Sequence, residues 1–80
     1  MPCTCVYSIL NLRTNEIIRF SDDRSRRLTA LWTDNPALVQ RTLGMLGDTW
    51  RLCTHTADPT MMLILMRFHA VDPPGDALAA

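Results

Sequence analysis

Eighty residues, 48% of them hydrophobic, suffice for one small domain and are too apolar for a disordered chain. Eight arginines balance eight acidic residues and lysine is absent, so lysine chemistry is excluded (a P-loop lysine, a Schiff base, a lysine general base) and the chain has no net attraction to nucleic acid or anionic membranes. Three cysteines cannot all pair within one chain, no apolar run approaches the roughly 18 residues of a membrane span, and no signal peptide is evident; the expectation is a cytoplasmic, reduced protein without a membrane segment.

Residues 3–12 are rich in β-branched, aromatic and aliphatic types, "LRTNE" offers a polar turn, and "IIRF" resumes the pattern, which predicts a hairpin of two strands. Ser21 and the acids of "SDD" are helix-start residues, and Leu28, Leu31 and Trp32 follow helical spacing, so a first helix is expected over 22–33. Asn35-Pro36 pairs a capping side chain with proline at the first helical position and predicts a second helix that stops near Gly47. "TWRLCTHT" predicts a third strand, "ADPT" a turn, and "TMMLILMRFHA" a fourth strand.

These elements predict a ββααββ, α+β fold: one antiparallel sheet of order 2-1-4-3, with both helices on one face. Residues 1–71 form the single domain and 72–80, with two prolines and a glycine, a flexible tail. Strand alternation then assigns Ile18, Phe20, Trp50, Leu52, Met62, Ile64, Met66 and Phe68 to the covered face. Ile9, Ile17, Leu63 and Leu65 join Tyr7, Arg19, Arg51, His55, Arg67 and His69 on an open face. Exposed apolar surface beside arginine and aromatic groups is typical of a protein contact, so this face is expected to bind another protein or a second copy of the chain. Arg24 joins the candidate binding residues. Asp22 with Arg26 and Asp23 with Arg27 are favourable i, i+4 pairs, whereas Arg24 has no such partner.

Cys3, Cys5, Cys53 and His55 are the residue types of a Cys3His zinc site. With order 2-1-4-3 the two pairs lie two strand spacings, roughly 10 Å, apart, too far for bonds of about 2.3 Å to one ion. No metal and no cofactor is therefore expected, and the cysteines read as small apolar strand residues. The sole glutamate, Glu16, stands beside a turn, and no glycine-rich loop or nucleophile elbow occurs, so no enzyme is expected.

The Met1-Pro2 start and the strand that follows resemble the tautomerase superfamily; that resemblance implies that Pro2, once Met1 is removed, acts as an amino-terminal general base. An early hairpin departs from that pattern. The preferred expectation is a non-catalytic binding module, homodimeric and binding through its open face and adjoining helix surface, that regulates or inhibits a larger complex by occlusion. Arginine usage without lysine suggests GC-rich coding of a bacterium or phage, and phage inhibitors of bacterial defence, anti-CRISPR proteins included, are of this kind. Single-stranded nucleic-acid binding on the open sheet is the alternative, weakened by the zero net charge.

Overall fold

A computed structural model describes residues 5–21 and 28–74. They form a small α+β fold with two helices. The elements are β1 (Cys5–Asn11), β2 (Glu16–Ile18), β3 (Phe20–Ser21), β4 (Leu28–Ala30), α1 (Pro36–Met45), β5 (Trp50–Thr56), α2 (Pro59–Leu65) and β6 (His69–Val71).

The first hairpin forms as its pattern requires, with Leu10 opposite Ile17 and Asn11 opposite Glu16. The Asn11 carboxamide oxygen accepts from the amides of Arg13 and Thr14 at 3.0 and 3.2 Å, closing the turn, and Asn15 takes the left-handed conformation (φ 60°) that asparagine tolerates. Helix α1 starts at the expected place. The Asn35 side chain accepts from the amides of Ala37 and Leu38, Pro36 occupies the first turn, and the helix ends before Gly47.

The sheet departs from expectation in order and direction. It is mixed, with order β5-β1-β2-β6, rather than four antiparallel strands in order 2-1-4-3. β5 runs antiparallel to β1 over all seven of its residues, and β6 runs parallel to β2. The central strand is therefore β1, whose Val6, Ser8, Ile9, Leu10 and Asn11 are all buried, because it is covered on both faces.

The largest correction concerns 59–68. The segment expected as a fourth strand is the helix α2, followed by a turn and the three-residue β6. The Asp58 side chain accepts from the Met61 amide at 2.9 Å and Pro59 stands in the first turn. "ADPT" is thus a helix start built like Asn35-Pro36. β5 and β6 run parallel at opposite edges, which demands a crossover, and α2 supplies it.

Correspondingly, the helices lie on opposite faces instead of sharing one. On one face Met61 and Leu65 of α2 pack on Val6, Leu10 and Ile17, with Leu31, Trp32, Cys53, Phe68 and Ala70 around them. On the other, Val39 of α1 packs with Ile9, Ile18 and Phe20, flanked by Tyr7, Leu38, Leu43, Trp50 and Val71. Ile9, Ile17 and Leu65, expected on an open face, have no exposed surface at all. Of the helix expected over 22–33, residues 22–27 lie outside the described residues, whereas 28–30 form a strand paired with β3. Leu28 thus lies in a strand, Leu31 and Trp32 follow it outside any helix, and Thr33 bridges back to Tyr7 through two backbone hydrogen bonds of 2.8 and 2.9 Å.

Candidate protein-binding surface

The sheet register decides the fate of the expected sites. Cross-strand partners share a face. Val6 opposes His55, Ser8 opposes Cys53 and Leu10 opposes Arg51 on the α2 side; Cys5 opposes Thr56 and Tyr7 opposes Thr54 on the α1 side. β1 and β5 are neighbours, which removes the distance obstacle to zinc, yet Cys5 points to the face opposite Cys53 and His55. One ion cannot reach all three. Among the described residues no group of three potential metal ligands occurs, and Cys3 lies outside them, as does Pro2.

Cys53 packs against the α2-side core, and burial pushes its thiol above the ordinary value against the opposing pull of the Arg51 guanidinium. Staying protonated suits a small apolar strand residue. His55 is half-buried, its Nε2 2.7 Å from the hydroxyl of the fully buried Ser8. This bond satisfies a polar group that the two-sided burial of β1 would otherwise strand.

The remaining expected binding residues do not form one surface. Tyr7 is half-buried beside Thr33. Arg19 donates to the Asp72 carboxylate at 2.8 Å. Arg51 is exposed on β5 on the α2 side, while His69 of β6 follows Glu16, Asn11 and Trp50 onto the α1 side, with β1 and β2 between. Arg67 is exposed in the turn after α2, where its carbonyl accepts from the Asn15 carboxamide at 2.9 Å. Arg24 lies outside the described residues. The open face on which these residues were expected to meet does not exist, because a helix covers each side.

A different surface emerges from α2. Its stretch from Pro59 to Met66 carries no charged side chain. Residues four apart share a helix side, so Met61 and Leu65 turn inward and Met62 and Met66 lie together on one flank. Leu63 and Ile64 are left outside. Leu63 is 68% and Met66 69% exposed, with Met62 and Ile64 also open to solvent. Met62 and Met66 form one wall of a groove of about 860 Å³, whose other lining includes Leu31, Trp32, Leu38, Asp34 and Asn35. Among the described residues, Asp34 is the one titratable side chain lining it. A groove whose lining joins leucine, tryptophan and methionine side chains to a polar margin of Ser21, Thr29, Thr33, Asp34 and Asn35 accepts a largely apolar surface, and unbranched methionine side chains adapt to its shape. The strand reading of 59–68 hid this surface; the signal that reveals it is Asp58-Pro59 at the head of the run.

No family model, curated protein sequence or solved structure matches this chain. Among the described residues no helix is long and apolar enough to cross a membrane.

Proposed function

We propose that this chain is a non-catalytic protein-binding module that recognises another protein through the outer side of α2 and the adjoining groove, and that it regulates or inhibits that partner by occluding its surface. The observation that carries this reading is the uncharged helix with Leu63 and Met66 about two-thirds exposed. Water-exposed apolar groups next to one another are disfavoured in a protein that never buries them, and such patches mark contacts. Arg67, the exposed residue directly after Met66, stands at the rim, where arginine adds orientation and charge selection to an apolar centre.

Occlusion needs only the exposed apolar side chains that α2 presents, and it asks no catalytic group of the groove. Small phage-encoded inhibitors of bacterial defence complexes, anti-CRISPR proteins among them, work by such steric blocking, and this chain is proposed as a member of that functional class. Burial of β1 and β2 between the two helices favours this reading over a sheet platform that stacks single-stranded nucleic acid.

The test is affinity purification from the native host with wild-type chain and with a Leu63→Glu, Met66→Glu double variant. Both positions are exposed, so the variant is expected to keep its thermal unfolding midpoint while losing at least about tenfold in affinity for the co-purifying protein, which is 1.4 kcal/mol. A complex formed equally well by the folded variant removes α2 as the binding surface.

A further inference from the structure

We propose that a second copy of this chain pairs antiparallel with the free edge of β5, joining the two four-stranded sheets across a two-fold axis at Thr54. This surface is separate from the α2 groove, none of whose lining residues belongs to β5, so either proposal can fail without the other.

The two edges of the sheet differ. β6 presents three residues and runs directly into Asp72-Pro73, with Asp72 ion-paired to Arg19. Shortness and proline are standard protections against edge pairing. β5 presents seven residues in unbroken register with β1, without proline, lysine or bulge. Its Arg51, Leu52, Thr54 and Thr56 are exposed, so among the described residues none covers the edge at these positions.

The free backbone groups follow from one pair of bonds. Tyr7 exchanges its amide and carbonyl with Thr33, on the side of β1 away from β5. Backbone direction alternates along a strand, so Val6, Ser8 and Leu10 bond His55, Cys53 and Arg51. Leu52, Thr54 and Thr56 consequently direct their N–H and C=O groups outward. A strand edge is its own complement under two-fold rotation, and a neutral chain meets no net repulsion from its copy.

Any two-fold axis through a residue of β5 sets outward residues against each other, and the axes at Cys53 and Thr54 keep Leu52, Thr54 and Thr56 all paired or nearly so. With the axis at Cys53, Arg51 faces His55 of the second copy, and Trp50 must take part although its N–H already donates to the Gly47 carbonyl at 3.2 Å. With the axis at Thr54, Leu52 faces Thr56 of the second copy, Thr54 faces its own equivalent, and Cys53 faces His55. The Thr54 register keeps the Arg51 guanidinium away from the His55 ring, leaves Trp50 out and adds a favourable Thr–Thr pair.

The experiment is light scattering on size-exclusion fractions over roughly 1 to 500 μM, the range in which a modest interface changes occupancy. The wild-type mass is expected to rise toward twice that of the chain. Thr54→Pro removes an N–H that has no partner within the sheet, a change tolerated at an edge, and is expected to stay monomeric with an unchanged far-ultraviolet spectrum. Thr54→Lys, which keeps the backbone donor, is expected to weaken the dimer at least about tenfold and covers the case in which the proline variant does not fold. With all native cysteines changed to serine, Thr54→Cys is expected to give an oxidised covalent dimer, its Cα atoms about 5.5 Å apart. Wild-type chain that is monomeric throughout, or folded Thr54 variants that dimerise as well as wild type, overturns the proposal; oxidative linkage through Cys53 in the native chain overturns the register.

Discussion

Leu65→Ala is expected to lower stability by about 3 kcal/mol, within the 2–5 kcal/mol range of buried leucine truncations, whereas Leu63→Ala, two residues away, should change it by less than about 0.5 kcal/mol. Leu65 is wholly buried against Val6, Leu10 and Ile17, while Leu63 looks into solvent. The contrast is a signature of the helix. In a strand, residues two apart share a face and their truncations would have similar effects. For a domain of this size each kcal/mol moves the thermal midpoint by roughly 4–8 °C, so the two variants separate clearly in one melting experiment. Equal losses would return 59–68 to the sheet.

Phe20→Ala is expected to have an effect at least as large, about 3–5 kcal/mol. Its ring has no exposed surface and fills the α1-side core with Ile9, Ile18 and Val39. It also sits on β3, whose pairing with Ala30 ties the β4 segment to the body of the fold. Loss of the ring leaves a cavity that the two-residue strand has little means to close, since its backbone is held from both sides: Arg19 donates to the Val71 carbonyl and Phe20 pairs with Ala30. Total stabilities of 5–15 kcal/mol leave a small domain little reserve, so the variant is expected to be largely unfolded at 37 °C by circular dichroism and to unfold in urea at a much lower midpoint. A cooperative transition within about 1 kcal/mol of wild type would show that the ring is not a core element.

The parts of the fold legible in the sequence are those whose polar residues mark the period. The hairpin has two apolar runs parted by a polar turn that Asn11 and Asn15 bracket; α1 has Asn35-Pro36 and a helical stripe; β5 alternates Arg51, Cys53 and His55 with Leu52 and Thr54. In "MMLILM" every residue is apolar, so no period can be read, and strand length alone suggested the wrong element. The deciding signal was local chemistry, for Asp58-Pro59 repeats the capping arrangement of Asn35-Pro36. Leu28, Leu31 and Trp32 have the opposite problem: helical spacing over so few residues is weak, and the Thr33 to Tyr7 bridge, a contact 26 positions away in sequence, holds the chain outside a helix.

The candidate surface was lost with the same element. Reading 59–68 as a strand placed Leu63 and Leu65 together and left both helices on one side, creating an open face that would gather Tyr7, Arg51, Arg67 and His69. Helical geometry separates the two leucines, closes that face with Met61 and Leu65, and turns Leu63, Ile64 and Met66 outward. The expectation of exposed apolar surface carries over to a different place, built on a helix and a groove.

Site-specific photo-cross-linking in the native host tests the binding claim most directly. A photoreactive residue at Leu63 is compared with one at Leu12, which is 64% exposed in the hairpin turn and so matched in accessibility. A discrete adduct with one protein from position 63, and none from position 12, is the predicted result. Adducts from both positions alike, or from neither, would contradict recognition through α2.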